Sequence, residues 1–280
     1  MTEQTMAGRT VLVTGASDGI GAEAARVLAA QGATVHVTGR SADKLRPVAE
    51  AVGTEPLVAD FSRLDDVRHL AKLVAERVGS LDLLLNNAGG TFSPAQRTHD
   101  GHEPNLQVNH LAPFLLTHLL RPSLAAAGGS LVVNTSSIAN LLGRVVLDDL
   151  DYERRRAIEF PAYGTGKLMN ILFTRGITQR WADDAIRSVA VHPGPVGSSF
   201  GRDSWLVGLL YRSPLKRFAT ITVADGAAPL VALAHRGPDP EIDGRYFSRF
   251  KIDGRENRQA HDQDLIDGLW ERSEALVGLP

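Results

Sequence analysis

Short apolar runs alternate with longer amphipathic stretches along this chain, a pattern that predicts an α/β protein on a parallel, doubly wound sheet. Two further observations point the same way. The runs are apolar at nearly every position, as strands covered on both faces must be. A glycine-rich turn, Thr14-Gly15-Ala-Ser17-Asp18-Gly19-Ile20-Gly21, stands where the first strand would hand over to the first helix. With right-handed crossovers these elements form a Rossmann-type sheet with helices on both faces.

Taken in order, strands are expected at 10–14, 34–38, 56–59, 81–85, 130–134 and 187–191. Amphipathic periodicity predicts helices at 20–31, 42–52, 64–78, 103–127 and 160–181. No linker, repeat or shift in composition marks a second domain, so 1–280 is expected to be one domain. Residues 10–135 would mainly hold a cofactor, and 136–280 would mainly carry catalysis and substrate. Two segments interrupt the alternation. One, 139–159, contains the charged cluster Asp148-Asp-Leu-Asp-Tyr-Glu-Arg-Arg-Arg156, and the other, 197–222, contains Trp205-Leu-Val-Gly-Leu-Leu-Tyr211. Each follows a predicted strand, and ligands of such sheets bind beyond the carboxyl ends of strands. Both are therefore expected to wall a substrate pocket. For the charged cluster, a solvated helix face is an equal alternative. The apolar stretch reads as a lid closing over substrate, with contact to lipid as the rival reading.

Composition narrows the function. Of the 280 residues 43% are hydrophobic and 22% charged, which suits a globular protein with a sizeable core. A net charge of −2 gives no electrostatic reason to bind nucleic acid or an anionic membrane. The chain has no cysteine, which excludes disulfides, thiolate catalysis and cysteine-based metal sites. His99 and His102 are spaced as metal ligands can be, but no third ligand is apparent nearby, and solvated imidazoles are expected. No secretory signal or membrane span is visible, so a cytoplasmic protein without stable membrane insertion is expected.

The glycine turn has the chemistry of a dinucleotide site. Gly15 permits the tight turn, Gly19 lets backbone N–H groups approach a pyrophosphate, and Gly21 lets the helix pack closely. Ser17, Asp18 and Ile20 would lie along the cofactor with them. The second strand ends Val37-Thr-Gly39-Arg40-Ser41, where NAD enzymes carry a carboxylate for the ribose hydroxyls. A guanidinium stands here instead. Arg40 and Ser41 would hold a 2′-phosphate that an acid would repel, so NADP is expected over NAD. Asp60, followed by Phe61, could accept from the adenine amino group, or it could simply be an acid ahead of Ser62 at a helix start.

Tyr163 and Lys167 are four residues apart in a predicted helix and so share a face. A phenol titrates near 10, and a neighbouring ammonium stabilises its anion, which lets it exchange protons closer to neutrality. His192, beside Pro193, is expected to pack at a strand end.

Together these motifs resemble the short-chain dehydrogenase/reductase family over almost the whole chain. Asn86-Asn87-Ala88-Gly89 follows the fourth strand, in a motif that supports the sheet and lies along the cofactor in that family. Asn109, in Gln107-Val-Asn-His110, occupies the place of its relay asparagine. Ser137 closes Val132-Val-Asn-Thr-Ser-Ser137, and with Tyr163 and Lys167 it completes a catalytic tetrad. Strand alternation gives Ser136 and Ser137 opposite facings, and the resemblance favours Ser137. Pro193-Gly194, with Val196 just beyond, stands where the family's chain bends around the nicotinamide.

A narrower resemblance, to the retinol dehydrogenase and WW-domain oxidoreductase branch, rests on five features. They are Asn109-His-Leu-Ala-Pro-Phe-Leu-Leu-Thr117, Ala162 to Phe173, His192-Pro-Gly194, the 26-residue step from Ser137 to Tyr163, and Gly244-Arg-Tyr-Phe247 with Leu269-Trp-Glu-Arg-Ser273. No WW module or anchor is visible, so the branch implies a chemistry without implying retinol itself. The implied activity is NADP(H)-dependent interconversion of a carbonyl and an alcohol on an apolar small molecule. The alternative is a catalytically silent NADP-binding sensor or scaffold, which would have no need of Ser137, Tyr163 and Lys167 together. The family commonly pairs two long helices between subunits, here 103–127 and 160–181, implying a homodimer or homotetramer.

Overall fold

The computed structural model describes residues 5–195 and 221–280. Val196 and the predicted pocket segment up to 220, with Trp205, lie outside the described residues.

Eight strands form one sheet among the described residues. They are β1 Thr10–Thr14, β2 Thr34–Gly39, β3 Leu57–Val58, β4 Leu83–Asn86, β5 Ser130–Thr135, β6 Ile186–His192, β7 Tyr246–Ser248 and β8 Lys251–Ile252. Their order is β3-β2-β1-β4-β5-β6-β7-β8, and all neighbours run parallel except β7 and β8. The chain steps outward from β1 to β3, then returns to place β4 on the other side of β1. That reversal opens a crevice at the carboxyl ends of β1 and β4.

Alternation along the central strands builds two cores. Val11, Val13, Leu83, Leu85, Val133 and Val189 face α1 (Gly19–Ala30), α2 (Ala42–Val52) and, further along the chain, the helix Val223–Arg236. Leu12, Leu84, Val132 and Ala190 face the opposite layer, which includes α3 (Leu64–Val78). Every residue of β4 and β5 is buried, including the polar Asn86, Ser130, Asn134 and Thr135.

The predicted helix over 103–127 is broken into α4 (Pro104–Leu106), a π-helical turn (Gln107–Leu111), α5 (Ala112–Leu119) and α6 (Arg121–Ala126). Proline explains both breaks. Pro113 has no N–H to give the carbonyl of Asn109, and the Ala112 N–H bonds back to Gln107 instead. Pro122 likewise cannot serve His118, and the chain turns at Leu120.

The next helices are α7 (Glu159–Arg180), α8 (Val223–Arg236) and α9 (Gln263–Val277). α7 is buried all round from Ala162 to Thr174, so its apolar residues show no single stripe. α9 lies across it and across α5, putting Trp270 against Phe114 at 5.2 Å and Trp181 at 5.6 Å between ring centroids. α9 thus covers part of the helices through which the family resemblance implies subunit pairing. α8, α9, β7 and β8 were not among the expected elements. Among the described residues no helix is long and apolar enough to cross a membrane.

Candidate active site

A cleft of about 1150 Å³ opens at the carboxyl edge of the sheet, along the β1–β4 crevice. One end is the glycine turn. Gly15 has φ +65°, and a Cβ there would stand 2.7 Å from the Ala88 Cα, so the turn and the loop after β4 touch through their backbones. Asn87 fastens them: its Nδ2 donates to the carbonyls of Thr14 at 2.9 Å and Gly15 at 3.3 Å. Gly21 lies behind the cleft, and a Cβ there would meet that same Asn87 amide at 2.4 Å. Asp18 caps α1 by accepting from Gly19 N–H at 2.7 Å, so that N–H is already engaged. Ser17, Asp18, Gly19, Ile20, Asn87, Ala88 and Gly89 all line the cleft.

Arg40 and Ser41 line the wall at the end of β2, as expected, and Lys44 joins them. The Ser41 side chain makes no capping bond to α2, so the helix N-terminus and two cationic side chains are gathered at this wall. Lys44 went unnoticed in the sequence, although its place in the first turn of the helix after Arg40 was a usable signal. Ser17 packs beneath Gly39, where a Cβ would lie 3.0 Å from its hydroxyl oxygen. Asp60 and Phe61 also line the cleft. The Asp60 carboxylate accepts from Ser62 N–H at 2.9 Å and Ser62 Oγ at 2.8 Å, the local arrangement of an acid ahead of a helix.

At the far end Ser137, Tyr163 and Lys167 converge, beside Pro193 and Gly194. Tyr163 and Lys167 are 5% and 2% exposed. The Lys167 Nζ donates to the Thr135 carbonyl at 3.0 Å and lies 5.7 Å from the Tyr163 ring centroid. Burial lowers the pKa of Lys167 to about 7. Ser136 and Ser137 do face opposite ways. Ser136 Oγ donates to the Lys167 carbonyl at 2.7 Å, while Ser137 caps the turn that follows, accepting from Ala139 N–H at 3.2 Å. α7 can press against that turn only because residue 164 is glycine: a Cβ there would lie 2.4 Å from the Ala139 carbonyl oxygen.

Asn109 sits behind the cleft in the π-helical turn and is fully buried. Its amide makes a two-point contact with Gly90, accepting from the N–H at 3.0 Å and donating to the C=O at 2.9 Å. It nevertheless borders the lysine. A Cβ on Gly89 would be 2.5 Å from Asn109 Oδ1 and 3.1 Å from Lys167 Nζ.

The charged cluster in 139–159 is neither a pocket wall nor a helix face. Asp149 accepts from the backbone N–H groups of Arg154 and Arg155, each at 3.0 Å, and Asp151 binds His102 Nδ1 at 2.9 Å. Ile138 and Phe160, at the two ends of that segment, line the cleft, but no residue between them does. His102 is therefore paired rather than solvated, and its bond to Asp151 raises its pKa. His192, expected to pack at a strand end, lines the cleft beside Pro193, and burial lowers its pKa to about 4. Among the described residues no cluster of three metal-ligating side chains occurs.

The chain matches the short chain dehydrogenase family model over residues 9–205. It is 41% identical over 277 residues to a Streptomyces sp. (strain C5) protein named as a daunorubicin C-13 ketoreductase, DnrU, covering 97% of this chain and 93% of that one. It is 37% identical to human retinol dehydrogenase 12, covering 97% and 87%. A crystal structure of an uncharacterised Mycobacterium paratuberculosis protein superimposes with a TM-score of 0.76 at 32% identity, covering 98% and 95%. With the fold and cleft described above, these likenesses show that the chain belongs to the short-chain dehydrogenase family and is an oxidoreductase acting on CH–OH and C=O groups.

Proposed function

We propose that this enzyme interconverts a carbonyl and an alcohol on an apolar small molecule, with NADP(H) as its cofactor. The observation that carries the reading is one cleft with Arg40, Lys44 and Ser41 at one end and Ser137, Tyr163 and Lys167 at the other.

The residues present fit a dinucleotide. Gly15, Gly19, Gly89 and Gly90 line the cleft, and the absence of side chains there suits close approach by a pyrophosphate. Arg40 and Lys44 beside an uncapped helix N-terminus suit a 2′-phosphate, with no carboxylate at Gly39 to oppose it. Asp60, Phe61, Asn87, Ala88, Gly89, Pro193 and Gly194 would complete the cofactor wall. When bound, the cofactor supplies or accepts a hydride.

In the reducing direction, Ser137 and Tyr163 would hydrogen-bond the substrate oxygen, and Tyr163 would deliver a proton as negative charge grows there. Lys167, as an ammonium, lowers the cost of the resulting phenolate. Asn109, locked onto Gly90 beside Lys167, would keep the proton path to that lysine in place. Oxidation runs along the same path in reverse.

An apolar rim supports the substrate class. Ile138 and Phe160 line the mouth as exposed apolar side chains. A panel of aldehydes, ketones and quinones, followed by NADPH absorbance with Tyr163→Phe as control, tests the proposal. A protein that binds NADPH but oxidises none of it across the panel would instead be the silent binding module.

A further inference from the structure

We propose that Asn140 is a positioning residue for Ser137, through which the C-terminal part of the chain sets the geometry of the active site. The inference rests on Ser137 orienting the substrate oxygen, as proposed above. Asn140 lies three residues beyond Ser137, in the 3₁₀ turn Ile138–Leu142, and is fully buried. Its carboxamide is used at both ends. Nδ2 donates to the Ser137 carbonyl at 2.7 Å and to the Tyr246 hydroxyl at 3.3 Å, and Oδ1 accepts from Asn257 N–H at 2.8 Å. The backbone N–H of Asn140 also donates to the Ser137 carbonyl, at 3.0 Å. One residue thus supplies two donors to one peptide group, the one that carries the Ser137 side chain.

The clamp continues to both sides. Asn257 Nδ2 donates to the carbonyls of Asn140 at 3.1 Å and Gly143 at 2.8 Å, which closes the turn. Gly143 is pressed against α7, where a Cβ would stand 2.5 Å from the carbonyl oxygen of Gly164, the neighbour of Tyr163. A turn held this way cannot shift Ser137 relative to Tyr163 without breaking buried hydrogen bonds. Tyr246 and Asn257 both lie beyond residue 205, where the family-model match ends.

The chemistry selects an amide at position 140. Aspartate has the same shape but places an acceptor against the Ser137 carbonyl. Asn140→Asp should therefore lower kcat about tenfold, the effect of one hydrogen bond, while the Kd for NADPH stays within about twofold. The decisive readout is a double-mutant cycle on single-turnover hydride transfer. Ser137→Ala alone should lose about 10² to 10³, and adding Asn140→Asp to it should cost nothing further. Tyr246→Phe, which removes only a hydroxyl, should give a smaller loss of kcat in the same cycle, and it serves if Asn140→Asp does not fold. Multiplicative losses, a parallel loss of NADPH affinity, or an unchanged kcat in both variants would overturn the inference. Full kcat in Ser137→Ala would overturn the assignment of Ser137 itself, and this inference with it.

Discussion

Lys167 lies one helical turn beyond Tyr163 on α7, its ammonium nitrogen 5.7 Å from the phenol ring centroid and anchored 3.0 Å from the Thr135 carbonyl oxygen. The lysine is held by the end of β5, the strand that also leads to Ser137. Sheet and helix together therefore set the distance between the proposed proton donor and the group that tunes it.

Tyr163→Phe removes only the transferable proton of the proposed mechanism. Turnover should fall by about 10² to 10⁴, the usual contribution of acid–base catalysis, with NADPH affinity nearly unchanged. Steady-state kinetics with a fluorescence titration checks both. Retention of more than about a tenth of kcat would remove Tyr163 from that role.

Lys167 also makes a stability prediction. Its folded pKa, about 7, is below the ordinary 10.5, so between those values the unfolded chain binds a proton that the folded one does not. The cost of burying the ammonium is thus fully present below pH 7 and fades as pH rises toward 10.5. Lys167→Met should stabilise the cofactor-free protein at pH 7 by a few kcal/mol. Urea denaturation should show that advantage shrinking by pH 9.5. The same variant should lose turnover and NADPH affinity, since one ammonium is proposed to serve both.

The cofactor preference can be inverted on paper. A charge-assisted contact to a 2′-phosphate is worth about 1.5–3 kcal/mol, so Arg40→Ala should weaken NADPH by roughly one to two decades and NADH much less. Lys44→Ala should act in the same direction, more weakly. Adding Gly39→Asp should favour NADH, but a Cβ there would meet Ser17 Oγ at 3.0 Å and Ser17 Cβ at 3.2 Å. The switch should therefore be cleaner with Ser17→Gly included. Dissociation constants for both cofactors decide it, and equal wild-type affinities would make Arg40 a surface charge without selectivity.

Much of this was legible in the chain because it is written in local chemistry. α2 and α3 begin and end where amphipathic periodicity places them, and β1 spans its apolar run. The cleft residues from Gly15 to Lys167 fall where strand ends and glycine turns bring them. What escaped is tertiary. β7 and β8 are only 3 and 2 residues long and exist because β6 offers an edge. The helix over 103–127 reads as continuous by periodicity, and the breaks at Pro113 and Pro122 needed more weight. The cluster 148–156 reads as a pocket wall or a solvated helix face, yet Asp149 closes on neighbouring backbone and Asp151 on His102, partners that no local pattern reveals.

The covering of α7 by α9 leads to the last prediction, which concerns acid. His110 is fully buried between these helices, with Nε2 2.8 Å from Ser273 Oγ. Ser273 donates its own proton to the Leu269 carbonyl at 2.7 Å, so His110 donates to it from Nε2. Burial lowers its pKa to about 3, and that of His118, packed between Trp181 and Trp270, to about 4. Both values lie below the ordinary 6.5, so stability is full above pH 6.5 and is lost as pH falls toward the folded values. His110 alone should cost roughly 3 kcal/mol by pH 4, since each pKa unit is 1.36 kcal/mol. Urea midpoints for the wild type should therefore fall steeply between pH 6.5 and 4. His110→Gln keeps a donor for Ser273 but cannot titrate, so it should be less stable at pH 7 yet show a flatter profile. A wild-type midpoint constant over that range would mean that the α9 seam opens to let the imidazoles protonate without unfolding the domain.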